Sequence, residues 1–376
     1  MGRTARRAFD LHEVQIVPSR RTRSSTEVST AWQIDAYRFD IPMLTHPTDA
    51  TVSPETAIRV GRLGGLGVLN AEGLWARHPN PLDRLRHIAE VAASDPDADG
   101  DDPVRLLQEL HAEPVRPELL AEAIRTVREA GVTVAARVSP QHAAELAPHL
   151  ISAGVEILVV QGTIISAEHV SSRGAANGTA PLNLKQFIAD LEVPVIAGGV
   201  ADYRTAMHLM RTGAAGVIVG YGESAGTTTD SVLGIRVPMA TAIVDAAAAR
   251  RDYLDETGGR YVHVIADGDV LTGGDIAISI ACGADAVMLG SSLADVDGAP
   301  GLGYYWTSAA AHPSLPRSHI WTPGAPSGLA LEQLFFGPTS DPTGDVNLFG
   351  ALRRALAKTG YKDLKEFQKV GLTVCS

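Results

Sequence analysis

The sequence predicts an α/β protein built as a single (β/α)8 (TIM) barrel, and three observations predict it. Eight short apolar runs recur along the chain, helical patterns separate most of them, and a glycine repeatedly closes a helix just before the next run. The runs are Ile41–Leu44, Gly67–Asn70, Thr133–Val138, Ile157–Gln161, Pro194–Gly198, Gly216–Gly220, Tyr261–Asp267 and Asp285–Gly290. They show no clean polar alternation, as expected of strands covered by helices on the outside and packed within. An open doubly wound sheet is the structural alternative.

Residues 1–30 come first, an Arg-rich stretch (Arg3, Arg6, Arg7, Arg20, Arg21, Arg23) without an apolar segment behind it. It reads as a solvated arm or an intersubunit contact, not as a secretory signal. Between the second and third runs, residues 77–113 are polar and Asp-rich ("SDPDADGDDP") and read as an exposed excursion. The helix expected over Pro117–Ala130 places Leu120, Ile124 and Val127 on one face, with Pro117 suited to the first turn. Gly131, Gly154, Gly213 and Gly283 each stand where a left-handed residue would end a helix ahead of a strand. The tail, residues 321–376, carries helical signals at Gly350–Lys358 and Asp363–Val370 and is expected to pack back on the barrel. No second domain is expected.

With 45% hydrophobic and 20% charged residues, the 376-residue chain can bury a large core. Its net charge of −11 argues against nucleic acid as a partner, because phosphates would repel it. The most apolar stretch, Val237–Ala249, contains Asp245 and is too short to span a bilayer, so no membrane partner is expected. Two cysteines, Cys282 and Cys375, argue against a disulfide framework, and a cytoplasmic location is the simplest expectation.

Ligands of such barrels sit at the strand C-terminal ends, with phosphate commonly held after the last two strands. "ADGDVLTGGD" follows the seventh run and "MLGSSLA" the eighth. Main-chain N–H groups of Gly268, Asp269, Gly290 and Ser291 could converge on a phosphate, with Asp267 accepting from ribose hydroxyls. The alternative is that these glycines only make turns and Asp267 caps a helix. After the sixth run comes "VGYGESAGTTTD", a long polar loop before a helix that starts near Pro238. Its Gly220-x-Gly222-x-x-x-Gly226 spacing misses the dinucleotide fingerprint by one residue, so it reads as an active-site loop instead. His46 and His263 have no partner at metal-ligand spacing and read as packing or solvent-facing residues; no metal site of side chains is expected.

These motifs resemble the IMP dehydrogenase/GMP reductase family. "ADGD…GGD…ACGADAVMLGS" is similar to its seventh- and eighth-strand signature, "VGYGESAGTTTD…VPMATAI" to its catalytic loop and following helix, and "IPMLTHPTDA", "GRLGGLGVLN" and "VIAGGV" to its first, second and fifth strands. Within the family the chain looks like the short actinobacterial group related to IMP dehydrogenase and lacking CBS domains. The resemblance implies a purine nucleotide (IMP, GMP or XMP type) as partner, NAD as cofactor, potassium as a monovalent cation at Gly222, a homotetramer, and oxidation of IMP to XMP through a loop cysteine. Counting from Gly220 and Gly222 forward, and from Pro238 back, that cysteine position falls on Thr227. A threonine hydroxyl needs a dedicated base and cannot replace a thiolate directly.

The resemblance also implies other roles. Gln161 stands for an aspartate on the nicotinamide ribose, Gly199 for a substrate asparagine, Thr48 for a methionine against the purine, and Asp269 for a phosphate-loop glycine. Thr45 retains a phosphate-side hydroxyl, and Asp49, Asp267, Gly220, Gly222, Gly290 and Ser291 are kept. The flap's Arg-Tyr pair has no counterpart between Trp306 and Leu331. Three readings follow: an NAD(P)-dependent oxidoreductase on IMP or GMP, a non-catalytic purine-nucleotide binder acting as regulator or partner of an active paralogue, or another reaction using Thr227, Thr228 or Asp230 with water.

Overall fold

A computed structural model of the chain describes residues 5–93, 102–169, 182–222, 226–312, 320 and 328–375. Eight parallel strands form one sheet: β1 (Met43–Thr45), β2 (Val68–Asn70), β3 (Ala135–Val138), β4 (Ile157–Gln161), β5 (Val195–Val200), β6 (Gly216–Val219), β7 (His263–Ala266) and β8 (Ala286–Leu289). From β2 to β8 each strand pairs with the next in sequence, and β8 pairs with β1. A parallel bridge between Leu44 and Leu66 joins β1 to the β2 side, so the ring closes as a barrel and not as the open alternative. Buried Val, Ile, Leu and Ala from these strands and from the surrounding helices form one continuous core.

The glycine stops work as the sequence predicts: Gly131, Gly154, Gly213 and Gly283 all have positive φ, where a Cβ would be strained. The helix Pro117–Glu129 buries Leu120, Ile124 and Val127. The helix Gly273–Cys282 is capped by Thr272, whose hydroxyl accepts from Asp275 N–H while the Asp275 carboxylate accepts from Thr272 N–H. That cap removes the alternative role of Asp267 as a helix cap.

Two segments differ from expectation. Residues 77–113 are not simply exposed: helices Pro81–Ala93 and Pro103–Ala112 bury Leu85, Ile88 and Leu107 in a small cluster with Leu74, Tyr305 and Trp306. The polar link that hid this amphipathic pattern, residues 94–101, lies outside the described residues. The described part of the N-terminal arm is fastened to its own barrel. Val14–Val17 pairs antiparallel with Gly371–Val374, and Arg6 is ion-paired with Asp245. The tail helix Leu348–Thr359 packs against Gly273–Cys282 and buries Leu348, Phe349, Leu352 and Leu356.

At the strand N-terminal end, a hairpin of Trp32–Ile34 and Tyr37–Phe39 covers the barrel. Trp32 Nε1 donates to His263 Nδ1 at 3.1 Å, which gives His263 the packing role expected of it. Among the described residues no helix is long and apolar enough to cross a membrane.

Candidate active site

The opposite end of the barrel gathers the polar groups. Asp267 is the first residue past β7, Gln161 ends β4, and His46 follows β1. Gln161 Nε2 donates to Asp267 Oδ2 at 2.7 Å, and the His46 Nδ1–H donates to Asp267 Oδ1 at 3.0 Å. All three are buried. Burial in a low-dielectric site strengthens such charge-assisted bonds and makes the loss of either donor costly. Gln161 Oε1 is a buried acceptor that no hydrogen-bond donor reaches among the described residues.

Glycine lets the strand ends come this close. A Cβ on Gly220 (φ 110°) would run into the Asp267 carbonyl oxygen, and one on Gly199 into the carbonyl oxygen of Gly220. The asparagine implied at position 199 therefore has no room here. Gly222 N–H donates to the Asp267 carbonyl at 3.1 Å, which pins the catalytic-type loop to β7.

Thr227 reaches the same place. It lines a cavity of about 40 Å³ together with His46, Gln161, Gly220, Tyr221 and Thr307. Its Oγ1 lies 2.8 Å from Thr229 Oγ1 and accepts from Thr229 N–H at 3.3 Å. Thr228 and Asp230 do not line this cavity: Thr228 precedes the short helix Thr229–Leu233, and Asp230 Oδ1 accepts from Ser231 N–H. Residues 223–225 of the loop lie outside the described residues.

Neither cysteine lines this cavity. Cys282 is buried in the helix Gly273–Cys282, where desolvation pushes its thiol up to about 12, and Cys375 follows the terminal strand Gly371–Val374.

The phosphate-side residues are more dispersed. Thr45 Oγ1 accepts from Val68 N–H at 2.8 Å, holding β1 to β2, and Thr48 donates its hydroxyl to the Trp306 carbonyl. Asp49 accepts from Leu74 N–H at 3.1 Å and from His111 Nε2 at 3.0 Å, fastening the helix Pro103–Ala112 to the barrel. Asp269 has positive φ, and its carboxylate lies 3.5 Å from Arg236, which also pairs with Asp10. Gly290 and Ser291 form the start of a 3-10 turn after β8. Ser291 lines a second cavity of about 970 Å³, whose charged lining residues, Asp295, Asp341 and Asp345, are acidic. Burial raises the Asp295 carboxyl pKa. The flap region named for the Arg-Tyr pair falls largely on 313–319 and 321–327, outside the described residues.

His46, expected to pack or to face solvent, instead stands at this centre, because the partner that recruits it is 221 positions away. Sequence reasoning also passed over Arg137, the charged residue in a strand otherwise made of Ala135, Ala136 and Val138. A buried charge inside an apolar run was the available signal.

A closed parallel barrel with its polar cluster, glycine-tightened loops and clefts at the strand C-terminal ends has the arrangement of a barrel enzyme. The comparisons narrow that class. The profile described as IMP dehydrogenase / GMP reductase domain matches residues 8–311, and the chain belongs to that family. It is 63% identical over 377 residues to an uncharacterized oxidoreductase of Mycolicibacterium smegmatis, covering 100% of this chain and 99% of that protein. It is 40% identical over 152 residues to the inosine-5'-monophosphate dehydrogenase of Haemophilus influenzae, covering 40% of this chain but 28% of that enzyme. The crystal structure of an IMP dehydrogenase/GMP reductase-like protein from Corynebacterium glutamicum superposes with a TM-score of 0.91 at 53% identity, covering 100% of this chain and 96% of that one.

Proposed function

We propose that this chain binds a purine nucleotide of the IMP type at the barrel mouth and does not carry out the thiol-dependent oxidation of IMP. One observation carries the reading: Thr227, at the loop position where the family has its cysteine, lines the cleft, while both cysteines are elsewhere. Asp267 is the acceptor for ribose hydroxyls, which would exchange with its bonds from His46 and Gln161. NAD would supply a hydride acceptor when bound, and Gln161 Oε1, an acceptor in need of a donor, suits a hydroxyl of its ribose. Without a thiolate, the chain's own groups can bind and orient the base but lack the nucleophile the family's chemistry uses. Calorimetric titration with IMP, GMP and XMP tests the binding half; no heat with any of the three would remove the reading.

A second reading is favoured by His46. An imidazole oriented by a carboxylate shares the cavity with the Thr227 hydroxyl, the combination that proton transfer to or from a hydroxyl or water requires. Under this reading His46→Gln abolishes any turnover found while leaving nucleotide binding within a few-fold.

The homotetramer implied by the family is part of the same proposal. Val232, Leu233 and Ile235 are exposed apolar residues beside the loop and are candidates for burial between copies. Light scattering that reports a monomer at working concentration would exclude it.

A further inference from the structure

The helices Pro81–Ala93 and Pro103–Ala112, set between β2 and β3 in the chain, lie against the barrel mouth, and none of the roles implied by the family involves them. We propose that this helix pair positions the site: it holds the Tyr305 ring against Gly226 and so fixes where Thr227 stands in the Asp267 cleft. Tyr305 and His111 are then positioning residues. The consequence for a ligand rests on the nucleotide reading above; the positioning itself does not.

The pair does not join the barrel's own core. Leu85, Ile88 and Leu107 share a second, smaller core with Leu74, Tyr305 and Trp306. Tyr305 and Trp306 belong to the segment after β8, whose next residues, Thr307 and Ser308, line the cleft together with Thr227. A Cβ on Gly226 would run into the Tyr305 ring, so it is the glycine that lets the loop backbone rest on that ring. Among the described residues, the hydrogen bonds of the Thr227 side chain stay within its own loop, on Thr229. Packing on Tyr305 therefore seats this stretch, and the helix pair seats Tyr305. A close-packed interior transmits a displacement rather than absorbing it, so a shift of the helices reaches the loop.

Polar bonds fix the register of this packing. His111 Nδ1–H donates to the Leu107 carbonyl at 2.9 Å, so the 3.0 Å bond between Nε2 and Asp49 Oδ2 needs a second proton, whichever partner carries it. Asp49 sits in the loop after β1 that also carries His46, and Thr48 of that loop donates to the Trp306 carbonyl. Gln108 Nε2 donates to the His312 carbonyl at 3.2 Å, and the helix Pro103–Ala112 packs against the short helix Ser308–Ala311. The helix pair thus braces both walls of the cleft, the His46 side through Asp49 and the Thr227 side through Tyr305.

The test is hydrogen–deuterium exchange of the full-length, ligand-free protein, followed in peptides from Gly226 to Leu233 and, as an internal reference, in β5 and β6. Leu107→Ala and Tyr305→Ala are expected to raise exchange in the loop on the order of tenfold while β5 and β6 keep their protection. Tyr305→Phe, which keeps the ring, is expected to exchange like the wild type. Where Leu107→Ala loosens the whole barrel, His111→Leu carries the same test, since it removes the tie to Asp49 and leaves Leu107 in place. A loop already unprotected in the wild type, a loop unmoved while residues 81–112 exchange faster, or Tyr305→Phe behaving as Tyr305→Ala would overturn the proposal. Calorimetry with IMP on the same variants separates this from the nucleotide reading. Affinity lowered several-fold alongside faster loop exchange supports both, and no heat from IMP removes the nucleotide reading alone.

Discussion

Replacing Gln161 by glutamate keeps the shape of the site's central contact and inverts its electrostatics. Nε2 now donates to Asp267 Oδ2 at 2.7 Å; the variant would set two carboxylates at that separation. At an effective dielectric constant near 20, two unit charges about 3 Å apart repel by about 5 kcal/mol. Binding one proton between them is cheaper: at pH 7 it costs about 4 kcal/mol from an ordinary glutamate pKa. The variant should therefore take up a proton that belongs to the pair rather than to one residue. His46, bonded to the other Asp267 oxygen, is a second seat for that proton, so about 4 kcal/mol is the ceiling.

The sign follows from linkage. The folded pair has a pKa raised above its unfolded value, so the penalty is absent below about pH 4.3 and grows by up to about 1.4 kcal/mol per pH unit above it. Urea unfolding of both proteins at pH 5.5, 6.5 and 7.5 reads this directly. Equal stability at every pH, or a loss that ignores pH, would refute the Gln161–Asp267 contact as the centre of the site.

Other expectations follow from the same contacts. Asp285 is buried against Arg250 at 2.7 Å, Lys365 and the Tyr261 hydroxyl, and the charges of Arg250 and Lys365 hold its carboxyl at about 2 despite desolvation; Asp285→Asn should cost about 3–5 kcal/mol in denaturant unfolding, because Arg250 would stay buried without its charge partner. Burial lowers the His263 imidazole to about 4, so its contribution is complete above pH 6.5 and is lost as pH falls from there to 4; His263→Gln should flatten that part of the stability profile. Gly199→Asn should abolish folding or ligand binding, since its Cβ meets the Gly220 carbonyl, and circular dichroism with IMP calorimetry would decide between the two outcomes.

The barrel was legible because its signals are local. A run of β-branched residues, or the glycine after a helix, carries its meaning within a dozen positions, and Gly154 and Gly283 both sit in the left-handed conformation expected of them. The site was only partly legible because its contacts are not local. Asp267 and Thr227 could be placed at strand ends, but His46, Arg137 and Glu72 act through partners set beside them by barrel closure. Thr45 illustrates the limit from the other side: a hydroxyl placed by resemblance on a phosphate is engaged by the Val68 N–H between two strands. The helices of residues 77–113 were missed because an Asp-rich link dominated the composition of a segment whose leucines still kept helical spacing.

A purine nucleotide held where no thiol can attack it should give no hydride transfer. The most direct test is a single turnover, with protein in excess over IMP and NAD saturating, followed at the absorbance of reduced nicotinamide. A flat trace is expected from protein that calorimetry shows to be loaded with IMP; a burst of one reduced nicotinamide per IMP would contradict it.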